Sequence, residues 1–453
     1  MWRTGVMLLA GWLSAGICLA QERGSVERQD GNLVERIDRT VPAQKGGTLY
    51  LTTPKGGVEV KAWERDEVRI EVAKKAKTSR EDRADGIFAS FQVYVEAAEK
   101  DVRVRAELPK GSDLDELEVG FILSVPRAYN LDLQTSSGGV SVGDLEGQVL
   151  VRTGSGGIRI GEVAGALGVE TGNGGITIAR AGGVVRAKTA SGGIAVDAGG
   201  QDVHVDTGGG GIRIGTVQGL LEAHTGNGGI TIAQVNGPIT AKTESGGIAV
   251  GSGGHDVHVD TGGGGITIGP VQGAVQARTG SGGIQVGPTG GDVQVETSGG
   301  GITIGASGGS VGAHTGAGGI QVDGSGGPVQ VSTGGGGITI TKARGYVEAE
   351  TGGGGIEVEL VVAEKGVDVH CTLHSGGGDL TLYLPEDLPA TIDAQLRIGR
   401  RTGRDFRIYS DFPLVVQGED SRVITGSGSI TGGGNLIKLT TTDGDIHLKK
   451  RQE

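Results

Sequence analysis

A threonine recurs every 18 residues through the middle of this chain, and this period limits the folds that the chain can adopt. Thirteen threonines, from Thr135 to Thr351, follow one another at this spacing without an insertion. We number positions in each repeat from its threonine. Glycine occupies +3 and +4, isoleucine or valine occupies +5 and +7, and in the first twelve repeats aliphatic residues or alanine return at +14 and +16. Such a repeat buries its apolar face only by stacking on its neighbours.

The apolar positions alternate with polar ones, which predicts two half-buried strands in each repeat. Eighteen residues are too few for a helical repeat, so we expect each repeat to be one coil whose strands pair with those of the next coil. Apolar residues at +10, such as Leu145 and Val163, predict a third, weaker face. The predicted fold is all-β: an elongated single-domain β-solenoid, or β-helix, of 18-residue coils with N-terminal and C-terminal capping regions.

Two further features of the repeat, its glycine pair and its +17 position, predict structure. The paired glycines at +3 and +4 precede the first strand, where positive φ and a close approach of stacked backbones favour glycine. At +17, from Arg152 to Glu350, six of the eleven steps between neighbouring coils pair opposite full charges and none pairs like charges. Opposite pairs on a sheet surface help to fix register. A solvated, self-complementary face is therefore favoured over a ligand site.

The N-terminal residues have the pattern of a secretory signal peptide. Arg3 is followed by the apolar run 6–13 and by small residues at Cys18 and Ala20, which predicts cleavage after Ala20. Ile17 disfavours the alternative of lipidation at Cys18. We expect a secreted, periplasmic or cell-surface protein, and no later stretch is apolar enough for a transmembrane span. The predicted organisation is a signal peptide (1–20), a flexible segment (21–45), an N-terminal β cap and first coil with a hairpin insertion (46–134), the regular array (135–358), and wider terminal coils with a C-terminal cap (359–453).

The same residues give no catalytic, cofactor-binding or metal-binding prediction. His370, Cys371 and His374 resemble a metal cluster, but in a strand the two histidines share one face about 13 Å apart and the cysteine points the other way. An array without insertions lacks the loops that would wall a cleft. The formal charge of −12 disfavours nucleic acid, and no Phe, Tyr or Trp between 131 and 345 offers a stacking platform.

Three segments carry a resemblance to a known family. They are GGVEVKAWERDEVRIEV at 56–72, VPRAYNLDLQTSSGGVSVGDLEGQVLVRTGSGGIRI at 125–160, and TTDGDIHLKK at 441–450. They resemble the secreted bacterial "putative adhesin" domain of unknown function, which is built of Gly-Gly-Ile/Val β-solenoid coils. The resemblance covers roughly 46 to 450. It implies a β-solenoid at the cell envelope without assigned catalytic residues.

The leading functional hypothesis is a non-enzymatic rod of the cell envelope that serves as an adhesin, a spacer or a structural surface protein. Its partner would be a surface polymer or an envelope protein. The first alternative is an extracellular filament or matrix subunit that self-associates through its terminal coils. The second is a carbohydrate-active envelope enzyme with its site in 73–130 or 380–453. Light scattering would test the first alternative, and a glycan array with a hydrolysis screen would test the second.

Overall fold

The protein is almost entirely β-structure. The computed structural model describes residues 21–109, 115–361, 367–399 and 405–452. The chain forms two compact units, the first ending at Gly138 and the second beginning at Gly139. The predicted signal peptide, residues 1–20, lies outside the described residues.

The first unit has one helix, α1 (Glu81–Ser90), among its described residues. Its strands are β1 (Gln21–Glu22), β2 (Ser25–Gln29), β3 (Asn32–Pro42), β4 (Thr48–Thr53), β5 (Gly57–Trp63), β6 (Glu67–Ala76), β7 (Gln92–Ala98), β8 (Asp101–Glu107), β9 (Leu117–Pro126) and β10 (Asn130–Thr135). Strands β2, β3, β6 and β9 pair antiparallel in that order, and β5 joins β9 in parallel. Strands β1, β7 and β8 also pair antiparallel, and the sheet continues in parallel through β4 to β10.

The hairpin predicted near residues 91–108 is confirmed by the antiparallel pair β7 and β8. The structure differs from the sequence-based expectation in 21–45, where strands replace the predicted flexible segment. Ile37 in β3 is buried, and so is the carboxylate of Glu35, which accepts a hydrogen bond at 2.7 Å from the buried ammonium of Lys74 in β6. The Gly24 amide donates to the same carboxylate at 3.0 Å. This buried ion pair attaches the N-terminal strands to the unit. The sequence does not single it out, because both residues lie among other charged residues.

The second unit repeats a pair of short strands coil after coil. Its strands are β11 (Val140–Val142), β12 (Val149–Thr153), β13 (Ile158–Val163), β14 (Leu167–Thr171), β15 (Ile176–Ala181), β16 (Val185–Thr189), β17 (Ile194–Gly199), β18 (Val203–Thr207), β19 (Ile212–Val217), β20 (Leu221–Thr225), β21 (Ile230–Val235), β22 (Ile239–Thr243), β23 (Ile248–Gly253), β24 (Val257–Thr261), β25 (Ile266–Ile268), β26 (Val275–Thr279), β27 (Ile284–Val286), β28 (Val293–Thr297), β29 (Ile302–Ser307), β30 (Val311–Thr315), β31 (Ile320–Ser325), β32 (Val329–Thr333), β33 (Ile338–Ala343), β34 (Val347–Thr351), β35 (Ile356–Leu360), β36 (Cys371–Ser375), β37 (Leu380–Leu384), β38 (Ala390–Arg397), β39 (Ile408–Ser410), β40 (Val415–Gln417), β41 (Val423–Ile430), β42 (Asn435–Thr442) and β43 (Ile446–Lys450).

These strands form two long sheets. Sheet 1 consists of the even-numbered strands from β12 to β36, and sheet 2 of the odd-numbered strands from β11 to β37. Within the array each strand pairs in parallel with its equivalent 18 residues later, as Ile266 of β25 does with Ile284 of β27. The predicted β-solenoid of 18-residue coils is thereby confirmed.

The interior is built from the apolar columns that the sequence predicts. Side chains at +5, +7, +14 and +16 are buried in the twelve coils from Thr135 to Thr333. The third face is confirmed as well, because +10 is also buried, with Val163 1% and Val235 0% exposed. In longer strands such as β13, pairing extends to this position. In these twelve coils the five positions together form one continuous core.

The two glycines that recur in every repeat, at +3 and +4, have different roles in the stack. A Cβ added to Gly228, at +3, would lie 2.1 Å from the carbonyl oxygen of Gly210 in the preceding coil. A Cβ added to Gly229, at +4, would meet only the carbonyl oxygen of Gly247, at 3.4 Å. Neither glycine has positive φ. The close approach that we expected is present at +3. The positive φ that we also expected occurs at +3 in the first two coils, at Gly138 and Gly156, but not at Gly228 or Gly229.

The threonine of each coil is an internal hydrogen-bonding residue. The threonines from Thr135 to Thr351 are at most 5% exposed. From Thr171 onward each hydroxyl donates to the carbonyl of the +3 glycine in the preceding coil, at 2.6–2.8 Å. Each also accepts from the amide of the +3 glycine in its own coil, at 3.2–3.4 Å. A ladder of hydroxyl groups therefore joins successive coils inside the turn.

This ladder makes Thr243→Val a test of the hydroxyl at nearly constant shape. The substitution removes the 2.8 Å bond to the Gly228 carbonyl and the acceptor for the Gly246 amide. We expect a loss of about 1–3 kcal/mol in the free energy of unfolding, because two backbone groups lose their partner. Thr243→Ser keeps the hydroxyl and should cost about 1 kcal/mol or less, for one buried methyl. Urea midpoints that rank the serine variant below the valine variant would contradict a role for the hydroxyl.

Aspartates at +13 add a second link between coils, on the outside. The carboxylates of Asp202, Asp256 and Asp292 each accept the backbone amide of the residue 18 positions later, at 2.7–2.9 Å. The hydroxyl of Ser310 also donates to Asp292, at 2.8 Å. These bonds hold the pKa of the Asp292 carboxyl below its usual value. The carboxylates thereby satisfy amides at a turn of the coil.

The C-terminal coils depart from the 18-residue period. Val347 of β34 pairs with Cys371 of β36, so this coil is six residues wider than the others. Strand β36 then pairs with β42, and the excursion between them places β38, β41 and β40 beyond β42 in sheet 1. In sheet 2 the order continues from β37 through β43 to β39. Thr441 donates to the Gly378 carbonyl at 2.6 Å, so the late copy of the motif is a true coil.

Candidate surface for ligand binding

The outward side of sheet 1 presents a dense set of charged side chains along the array. We define the charged face as positions +15 and +17 from Leu150 to Glu350, with Thr372 and His374 of β36. These side chains alternate with the buried +14 and +16 positions and are partly or fully exposed. The outward +6 position of sheet 2 carries fewer charges, since only Arg159, Arg213 and Glu357 interrupt a column of Ser, Thr, Ala and Gln. The two sides of the solenoid therefore offer different chemistry to a ligand.

The register of the charged face agrees with the sequence prediction. Arg152 lies opposite Glu170, and Arg278 lies opposite Glu296. Their closest nitrogen–oxygen distances are 3.9 Å and 3.6 Å, and all four side chains are exposed. Exposed pairs contribute about 0–1 kcal/mol each. Their effect is to favour one register and to leave charged groups available to solvent.

The first of two shallow depressions in the charged face lies over strands β12 to β22 and has a volume of about 630 Å³. Its polar lining contains four basic residues, three acidic residues and two histidines, and these are Arg152, Arg186, Lys188, Lys242, Glu170, Asp206, Glu222, His204 and His224. The Nδ1 atom of His204 lies 2.7 Å from the Glu222 carboxylate one coil away. Gly168 lies in the +15 column, which we call the first column, and it leaves this column without a side chain at one point. The depression is open, polar and several coils long.

The second depression covers strands β26 to β36 and has a volume of about 510 Å³. Its lining is richer in amides and carboxylates, and it includes Gln276, Gln294, Gln330, Arg278, Glu296, Glu348, Glu350, His314 and His374. The Gln294 side chain lies over Gly312, since a Cβ at that glycine would be 2.2 Å from the Gln294 Oε1 atom. The two depressions thus differ in charge although they occupy the same face.

The three residues that resemble a metal cluster in the sequence lie in different surroundings. Cys371 is fully buried, and burial raises the pKa of its thiol. His374 lies on the charged face, opposite Glu350. His370 stacks on Tyr346, with ring centroids 4.6 Å apart, and its Nδ1 atom lies 2.9 Å from Asp368. Within the described parts of the chain, no three His, Cys, Asp or Glu side chains are arranged to hold a metal ion.

The match to a family model decides the classification of the chain. The Toastrack DUF4097 model matches residues 36–269. The chain belongs to the Toastrack DUF4097 family. The Toastrack match begins in β3 and reaches the coil of Thr261, so it includes the whole first depression. The second depression lies in coils beyond the matched residues, although these coils keep the same period.

Two solved structures resemble this Toastrack chain. One is a putative adhesin from Bacteroides fragilis NCTC 9343, with 13% identity and a TM-score of 0.22, covering 60% of this chain and 96% of that one. The other is a putative cell adhesion protein from Clostridium sporogenes ATCC 15579, with 9% identity and a TM-score of 0.16, covering 92% and 100%. Among curated proteins, none matches the chain.

The sequence predicted the charged face of this Toastrack protein but not the depressions within it. The depressions form because long side chains from neighbouring coils lie beside Gly168 and Gly312. The sequence of a single repeat does not specify this arrangement. The histidines offered a signal, because five of the eight, namely His204, His224, His258, His314 and His374, occupy outward positions of sheet 1.

Over the described residues, no helix is long and apolar enough to cross a membrane.

Proposed function

We propose that this protein is a non-enzymatic adhesin of the cell envelope or the secreted fraction, and that its charged face contacts a surface polymer. The observation that carries the proposal is the continuity of this face. Two columns of outward positions run along the array from Leu150 to Glu350 without an inserted loop, and all are polar except Leu150, Gly168 and Gly312. A polymer can lie along such a surface and make many weak contacts, each involving hydrogen bonds or charge.

The chemistry of the face also supports a binding role over a catalytic one. The first depression is open to solvent, and its carboxylates lie beside basic residues, as Glu170 does beside Arg152 and Lys188. Paired, solvated carboxylates differ from the desolvated acid and base groups that perform acid–base catalysis. The role of the array would then be to present a long polar surface and to hold it at a distance from the cell.

A deletion of whole coils separates binding along the face from a purely spacing role. Removing residues 207–260 deletes three coils and joins Asp206 to Thr261 in register, so Asp206 then lies opposite Arg278. We expect the variant to fold and to be about 14 Å shorter, at about 4.8 Å per coil. It loses part of the first depression, including Glu222 and Lys242, so its affinity for surface polymers in a glycan array should fall.

Deleting only 207–215 is the matched control, because it removes half a coil and leaves a remnant that cannot close a turn. This variant should fail to fold or should aggregate. Unchanged affinity in the three-coil variant would assign the array a spacing role and contradict binding along the face. Release of new reducing ends from any glycan by the intact protein would contradict the non-enzymatic assignment.

A further inference from the structure

The first depression is basic in a protein that is acidic as a whole. The chain has a formal net charge of −12, whereas the depression has four basic and three acidic side chains. The second depression has one basic and three acidic side chains. At physiological ionic strength, charges farther apart than about 8 Å are largely screened. A ligand inside the first depression therefore responds mainly to its local positive charge.

Two histidines lie among these charges, one in each column of the face. His204 in β18 lies between Arg186 of β16 and Glu222 of β20. In the neighbouring column, His224 of β20 lies between Asp206 of β18 and Lys242 of β22. Histidine changes charge between pH 5 and 8. Protonation of both rings raises the formal charge of the depression from +1 to +3.

Protonation also changes which basic groups are available to a ligand. A protonated His204 pairs with the Glu222 carboxylate, which already lies 2.7 Å from its ring. His224 is the cross-strand neighbour of Asp206, so its protonation places positive charge beside that carboxylate as well. Glu170 then remains as the acidic neighbour of Lys188 that no histidine faces. The guanidinium of Arg186 and the ammonium of Lys188 can contact an anion from solvent.

We infer that the first depression binds an acidic polysaccharide, and that it binds more tightly as the pH falls. The inference rests on the proposed function and names the polymer class and its regulation. The depression spans six strands of sheet 1, about 24 Å at the usual strand spacing, which suits an extended chain. Binders of single-stranded nucleic acid combine positive charge with aromatic platforms, and this stretch of sequence has none.

An internal duplication allows the histidine–carboxylate neighbours of this site to be compared with the equivalent residues of a second copy. The segment DVHVDTGGGGIRIGTVQG at 202–219 recurs 54 residues later as DVHVDTGGGGITIGPVQG. His204 faces Glu222, but its equivalent His258 faces Gln276 at 2.8 Å. Asp206 faces His224, but Asp260 faces Arg278. The first copy therefore places two histidines opposite carboxylates, whereas the second places a histidine opposite an amide and an aspartate opposite an arginine.

The test uses dextran sulfate as the acidic polymer, because its charge is constant over the pH range, and dextran as the uncharged control. Binding to the intact protein is measured by calorimetry in 0.15 M salt at pH 7.5 and pH 5.5. We expect dextran sulfate to bind about three- to tenfold more tightly at pH 5.5, since two exposed charge contacts are gained. Dextran should not bind at either pH.

Three double variants locate the effect. His204→Gln/His224→Gln should bind as the wild type does at pH 7.5 and lose the gain at pH 5.5. Arg186→Gln/Lys188→Gln should weaken binding at both pH values. The control His258→Gln/His314→Gln removes two histidines of the same face and should keep the gain. Glutamine is a suitable replacement because it occurs naturally in the first column, at Gln276 and Gln294. Circular dichroism verifies the fold of each variant.

Several results would overturn this inference. They are a gain at pH 5.5 that survives His204→Gln/His224→Gln, an equal loss in the control variant, or no binding of dextran sulfate at all. Equal affinity for a single-stranded oligonucleotide would indicate a general polyanion surface and would also overturn it. Binding of a neutral polysaccharide that depends on the array would refute the acidic polymer and leave the proposed function standing.

Discussion

Ile266→Asp is expected to unfold the coils around it, whereas Thr267→Asp, one residue later, is expected to be tolerated. Ile266 is 1% exposed and stacks between Ile248 and Ile284 of the neighbouring coils. The substitution removes a buried aliphatic side chain, which costs about 2–5 kcal/mol, and it places a carboxyl group where no partner exists. Thr267 points to solvent, so aspartate there should cost less than about 1 kcal/mol through its poor strand propensity.

The measurement is a urea titration of both variants at pH 7 and pH 4. Burial raises the pKa of an introduced carboxyl above its unfolded value, so the cost of Ile266→Asp should be largest at pH 7 and smaller at pH 4, where the group is neutral. Thr267→Asp should show no such recovery. Equal losses for the two variants would refute the inward assignment of +5, and with it the orientation of sheet 2.

Gly228→Ala should be strongly destabilising, and Gly229→Ala should be nearly neutral. At Gly228 the new methyl group would lie 2.1 Å, 2.4 Å and 2.6 Å from the Gly210 oxygen, the Gly210 carbonyl carbon and the Gly211 nitrogen. All three atoms belong to the backbone of the preceding coil, so none can rotate away. We expect about 3 kcal/mol or more, because relief requires a shift of the stacked coils.

Gly229 supplies the matched control, since its new methyl group meets only one oxygen, at 3.4 Å. The C-terminal coils contain the same contrast naturally. Gly378 and Gly444 keep glycine at +3, whereas Asp379 and Asp445 occupy +4. The Asp379 carboxylate accepts the Asp445 amide at 2.8 Å, so a side chain at +4 can even be useful. Melting temperatures that fall equally for both alanine variants would show that the coils are not stacked as described.

The sequence by itself determined the solenoid, its coil length and the orientation of its strands. A strict 18-residue period brings identical residues together in every coil, and the alternation of apolar and polar residues assigns each side chain to the inside or the outside. A shift of one residue would expose the isoleucine columns. For the same reason, the sequence separated buried Cys371 from exposed His374.

The tertiary structure decided what depends on contacts between residues far apart in sequence or on atomic distances between coils. Glu35 and Lys74 are ordinary charged residues until the fold buries them together, and their pairing orders a segment that reads as flexible. Glycine is invariant at +3 because the backbones of neighbouring coils approach closely there. The threonine is invariant because its hydroxyl group bonds to the preceding coil. Neither contact is visible in a single repeat. The depressions of the charged face belong here too, because they form only where side chains from several stacked coils lie next to one another.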